Sequence, residues 1–135
     1  MRDEQDLETR IRALSRRDPR YDERAYLFVL ESLDRTIRSL GRAREEGAAR
    51  HVSGPELLDG IRRYALDQFG PLSRVAFETW GVRRTQDFGA IVFRLVDAGL
   101  LSRQDSDSLD DFAGGFDFVD AFERGYEVPV NEARI

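Results

Sequence analysis

Residues 51–118 read HVSGPELLDGIRRYALDQFGPLSRVAFETWGVRRTQDFGAIVFRLVDAGLLSRQDSDSLDDFAGGFDF, and this stretch decides the fold. Near its start stands Ser53-Gly54-Pro55-Glu56, the pattern of a capping box. The serine hydroxyl can accept from the Glu56 amide while the Glu56 carboxylate reaches back to the Ser53 amide. A proline in the first turn loses nothing, because its amide would have had no helical partner there. The helix that follows places Leu57 or Leu58, Ile61, Tyr64, Ala65 and Phe69 on one face at helical period. Gly70 supplies its left-handed terminal residue, and Pro71 opens a second helix. That helix carries Leu72, Val75, Ala76 and Trp80 as its apolar face and stops at Gly81. Thr85 is expected to cap a third helix, with Phe88, Ile91, Val92, Leu95 and Val96 buried. Gly99 ends it, and Leu100 is placed for a Schellman-type apolar contact.

Working outward toward the N-terminus, Leu7, Ile11 and Leu14 recur at helical spacing and the run ends at Asp18-Pro19, since a residue before proline avoids the α region. Asp22 can cap a further helix whose stripe is Tyr26, Leu30, Leu33, Ile37 and Leu40, widened by Leu27 and Val29. Gly41 weakens that helix, and the polar residues 42–50 read as a frayed end and loop. Toward the C-terminus the chain turns acidic, with Ser108 and Asp111 able to cap a short helix. Phe112, Phe116, Phe118 and Phe122 are too apolar for a free tail, so this part is expected to fold back on the core. The sequence therefore predicts an all-α fold of five or six helices in one domain over residues 1–127. Its acidic, aromatic segment is 104–127, and residues 128–135 form a frayed tail.

The blocks YDERAYLFVLESL (21–33), HVSGPELLDGIRRYALDQFG (51–70), WGVRRTQDFGAIVFRLV (80–96) and DSDSLDDF (105–112) together resemble a small bacterial family of uncharacterised proteins of the Minf type. The resemblance spans roughly residues 21–118. It implies an autonomous small domain and assigns no activity, cofactor or catalytic residue.

Composition narrows the chemistry. With no cysteine there is no disulfide framework, no thiolate metal site and no sulfur nucleophile. All 21 basic residues are arginine, which removes Schiff-base and P-loop lysine chemistry. The first residues are charged and polar, unlike a signal peptide, and no apolar run is long enough to span a bilayer, so a soluble cytoplasmic protein is expected. Charge is uneven: residues 104–135 hold 2 Arg against 9 acids, whereas residues 1–50 hold 12 against 11 and residues 51–103 hold 7 against 6. A net charge of −5 argues against a general polyanion binder, and the acidic end suits a basic partner.

His51 is the sole histidine, and a general base or metal site would have to be built from it and carboxylates such as Glu56 or Asp59. Its neighbourhood is already explained by the helix cap. The run Asp105-Ser-Asp107-Ser-Leu-Asp110-Asp111 suggests calcium, yet in EF-hand register position 5 is Leu109, position 6 is Asp110 and position 12 is Phe116, so the loop pattern fails. The glycines fit ordinary turns and no phosphate-binding signature. These absences point away from an enzyme, and no cofactor or metal is expected.

Two binding readings remain. The stretch 85–103 resembles the recognition helix and wing entry of a winged-helix domain, with Arg62, Arg63, Arg74, Arg83, Arg84, Arg94 and Arg103 as candidate phosphate contacts. Against it, the recognition face would present Gln86, Asp87, Gly89, Ala90, Phe93 and Asp97, and the wing would be acidic. The favoured reading is a non-enzymatic protein-interaction module with an unidentified protein partner. Its contact surface would use Phe28, Phe77 and Phe93, apolar residues off the buried stripes, with Arg83 and Arg84 at the edge.

Overall fold

A computed structural model describes residues 2–42, 52–102, 112 and 114–124. The chain forms five α-helices: α1 (Arg2–Arg17), α2 (Glu23–Ser39), α3 (Gly54–Phe69), α4 (Ser73–Thr79) and α5 (Thr85–Asp97). A 3₁₀ turn at Gly70–Leu72 joins α3 to α4, and a π turn follows at Asp120–Arg124. There is no strand among the described residues, and the fold is all-α as the periodicities predict. Residues 103–111, which include the start of the acidic segment assigned to a wing and the Ser108 cap, lie outside the described residues, as do residues 43–51 and 125–135, where the expected loop and frayed tail fall. None of the described helices is long and apolar enough to cross a membrane.

The caps of α2 and α3 follow the sequence closely. Asp22 accepts from the Arg24 amide at 2.9 Å and starts α2. At α3, Ser53 Oγ accepts from the Glu56 amide at 3.1 Å while a Glu56 carboxylate oxygen accepts from the Ser53 amide at 3.0 Å. Helix α5 ends as a Schellman motif: the Leu100 amide donates to the Leu95 carbonyl at 2.8 Å and the Gly99 amide to Val96 at 3.0 Å. The same pair of bonds recurs at Gly41 and Gly81, so Gly41 terminates α2 rather than weakening it.

Three expectations are corrected by packing. Helix α2 turns Ala25, Tyr26, Phe28, Val29, Ser32, Leu33, Thr36 and Ile37 inward, leaving Leu30 half-buried and Leu40, the C-terminal cap residue, 40% exposed. In α4 the inner face is Ser73, Phe77 and Trp80, while Leu72 and Val75 are 65% and 52% exposed. The 3₁₀ turn rotates the helix so that Ser73, not an apolar residue, faces in; its hydroxyl donates to the Ala65 and Gly70 carbonyls at 3.0 and 2.7 Å, which lets it be buried. The residue capping α5 is Arg84, and Thr85 is the first helical residue. The Thr85 hydroxyl instead accepts from the Gly115 amide at 3.0 Å, tying the C-terminal segment to α5.

Phe28 and Phe77, expected on the surface, belong to the core. Phe77 is fully buried, with the rings of Phe88, Phe28, Phe122 and Phe118 5.1–5.7 Å from its own. Phe28 is 8% exposed and stacks on Tyr64 at 4.8 Å. Their side chains lay off the stripes read from single helices because the aromatic C-terminal segment and α3 close over them. Phe112, Phe118 and Phe122 are buried and Phe116 half-buried, so this segment does fold back on the core.

Candidate interaction surface

The turn between α1 and α2 and the turn between α4 and α5 are built as one unit. Gly81, at φ 90°, sits so close to the first turn that a Cβ there would drive into the Arg20 carbonyl oxygen. The Asp22 amide donates to the Trp80 carbonyl at 3.0 Å. Beside these backbone contacts, the Tyr21 hydroxyl donates to Asp87 Oδ1 at 2.6 Å. Asp87 Oδ2 meanwhile accepts from the Arg83 and Arg84 amides at 2.9 and 3.2 Å. One carboxylate at the third position of α5 therefore closes its N-terminus and anchors the other turn. Burial, the hydrogen bond to Asp87 and its negative charge together hold the Tyr21 hydroxyl well above its ordinary range.

Arg94 reaches into the same junction. Its guanidinium pairs with Asp18 at 2.7 Å and lies 4.9 Å from the centre of the Tyr21 ring. Tyr26 Oη and Arg94 Nη1 are buried nearby, with no well-formed hydrogen bond to another of the described residues. Burial pushes the Tyr26 hydroxyl up while the Arg94 guanidinium pulls it the other way.

Of the residues nominated from sequence, Arg83 and Arg84 are exposed on the turn just described, and Phe93 is 53% exposed on the outer face of α5. Phe28 and Phe77 are unavailable to a partner. Of the arginines nominated for phosphate, Arg83 and Arg84 are exposed without a carboxylate partner, whereas four others are paired. Arg62 and Arg63 both pair with Asp59, at 3.3 and 2.9 Å. Arg74 lies between Glu78 and Glu123, at 3.1 and 2.6 Å, and these two carboxylates hold its pKa above the usual value. Arg94 serves Asp18, and Arg103 lies outside the described residues, together with His51 and the acidic run 105–111. No group of three His, Asp or Glu able to hold a metal ion occurs among the described residues.

A groove of about 590 Å³ runs between α2 and α3, lined by Arg35, Arg38, Glu56, Asp59, Arg63 and Tyr64 among others. Most of its charges are already paired: Arg38 with Asp34, Arg63 with Asp59 and Glu56 with Arg42. Arg35 lies over the Tyr64 ring at 4.4 Å. No nucleophile with an adjacent base is among these residues.

Sequence reasoning missed Arg20, Tyr21 and Asp87. The capping position of Asp87 was legible in principle, as an acid three residues into α5. Its second partner, Tyr21, is 66 residues away and carries no local signal. No family model matches this chain, and no curated protein or solved structure matches it.

Proposed function

We propose that this chain is a non-enzymatic protein-interaction module whose contact surface is centred on Arg83 and Arg84. The observation that carries the reading is that both side chains are exposed on a turn held rigid by Asp87, Tyr21 and Gly81. A pre-ordered turn loses little freedom when a partner docks, so its charges contribute to affinity more fully than those of a mobile loop. Exposed Phe93 and the Leu72–Val75 pair add apolar area elsewhere on the surface. A cytoplasmic location and placement in the Minf type belong to the same proposal.

The alternative, a nucleic-acid-associated adaptor using the arginines of residues 62–103, has less support. Arg83 and Arg84 serve either reading, but Arg62, Arg63, Arg74 and Arg94 already face carboxylates, and freeing them for phosphates would break those pairs. Capture of the tagged protein from its host, with and without nuclease, tests the choice. The expected result is a stoichiometric protein that survives nuclease and is lost from the Arg83→Ala, Arg84→Ala double variant. Partners that vanish with nuclease would move the adaptor reading to first place.

A further inference from the structure

The arginines divide sharply by how they are used. Arg12, Arg24, Arg38, Arg42, Arg62, Arg63, Arg74 and Arg94 each pair with a carboxylate of this chain, and Arg10 donates to the Ala98 carbonyl at 2.6 Å. Besides Arg10, the described residues Arg16, Arg17, Arg20, Arg35, Arg83 and Arg84 have exposed side chains with no carboxylate partner, and Arg35 lies over the Tyr64 ring in the groove between α2 and α3. The other five fall in two stretches, residues 16–20 and 83–84, and the backbone contact of the Arg20 carbonyl with Gly81 brings the two stretches side by side. Arg20 belongs to the turn whose carbonyl abuts Gly81; Arg16 and Arg17 close α1 just before it; Arg83 and Arg84 follow Gly81 directly. The acids of the junction are turned to internal duty: Asp18 to Arg94, Asp22 to the start of α2 and Asp87 to Tyr21 and the two amides.

We infer that this edge, with Arg20, Arg83 and Arg84 at its centre, docks a short acidic polypeptide segment rich in aspartate or glutamate. The inference rests on the interaction-module reading and names the partner's chemistry at the same site. A guanidinium presents a planar fork that matches a carboxylate with two parallel hydrogen bonds. Guanidiniums without internal partners can form those bonds without breaking existing ones. In sequence the first stretch is followed by Asp22 and Glu23, and the chain carries a net charge of −5. A long polyanion would have to extend over an acidic chain, whereas a short acidic segment needs only these few arginines.

Fluorescence anisotropy with a labelled Asp/Glu peptide, at low and at physiological ionic strength, tests this on the full chain. Binding should appear at low salt and weaken as salt rises. Replacing Arg20, Arg83 and Arg84 together by Ala should weaken it roughly tenfold or more. An Arg62→Ala, Arg63→Ala variant, altered at paired arginines, should bind like the parent. Circular dichroism checks that each variant keeps its helical content, which the exposed positions of these side chains favour. Absence of peptide binding, an equal loss in the Arg62/Arg63 variant, or tighter binding of a single-stranded oligonucleotide at the same salt would overturn the inference. The capture experiment separates the two levels. A nuclease-resistant partner that depends on Arg83 and Arg84, found with no peptide binding, leaves the module reading standing and removes the acidic segment. Loss of both removes both.

Discussion

Gly60 is fixed by what stands opposite it. A Cβ at this position of α3 would collide with Thr36 Oγ1 on α2, and that hydroxyl is itself held by donating to the Ser32 carbonyl at 2.7 Å. Gly60→Ala is therefore expected to destabilise the protein by roughly 1–3 kcal/mol despite alanine's better helix propensity. Urea denaturation measures this, and the Gly60→Ala, Thr36→Ala double variant should recover part of the loss if the contact is the cause. Tyr21 gives a second test at this scale. Its raised pKa means that the folded state holds the phenolic proton more tightly than the unfolded chain, whose tyrosine titrates near pH ~10. The stabilising contribution is fully present below that pH and is lost as pH rises above it. Thermal melts should thus show an alkaline loss of stability that is shallower in Tyr21→Phe. At neutral pH Tyr21→Phe should itself be about 1–3 kcal/mol less stable, because it removes a buried donor to a charged acceptor.

Among the elements, α3 was the most legible, since its cap is local chemistry written in four consecutive residues. Ser53→Ala should lower stability by about 1 kcal/mol in denaturant titration. The Glu56 carboxyl is held below its ordinary range by the Ser53 amide and by Arg42. Its contribution is present above the unfolded-state pKa and disappears as pH falls through the lower folded value, so acid unfolding should be less steep in Glu56→Gln. Helix α4 was the least legible. Seven residues hold barely two turns, and a single 3₁₀ turn before them suffices to exchange inside for outside. Of the predicted face Leu72, Val75, Ala76 and Trp80, Trp80 is buried and Ala76 half-buried, but Leu72 and Val75 face outward. Only the pairing of the Ser73 hydroxyl with two carbonyls of the preceding segment explains why a serine is buried while Leu72 is not. The proposed interaction surface was half legible for the same kind of reason. Arg83 and Arg84 stand out in sequence as an arginine pair, but their neighbour Arg20 comes from a different turn, and Phe28 and Phe77 looked free only while each helix was considered alone.

For the whole molecule, the decisive contribution is the return of the C-terminal aromatics. Phe112, Phe118 and Phe122 complete the core that begins with Phe28 and Phe77, and Arg74 clamps the π turn through Glu123 at 2.6 Å. Phe122, fully buried, should cost about 3–5 kcal/mol when changed to Ala, read from chemical denaturation. That is a large share of the ~5–15 kcal/mol that holds an ordinary domain together. Arg74→Ala, by contrast, removes a partly exposed pair and should change stability by less than about 1 kcal/mol. The contrast separates anchoring by buried rings from anchoring by charge.

The clasp between the two turns also has a consequence in time. Tyr21 and Asp87 are 66 residues apart, so the arginine edge does not exist until α5 has been synthesised and has docked. A nascent or nicked chain carries Arg20 without Arg83 and Arg84 beside it. Any partner that grips both turns thereby distinguishes finished molecules from unfinished ones, and by binding only the completed form it draws the folding equilibrium toward it.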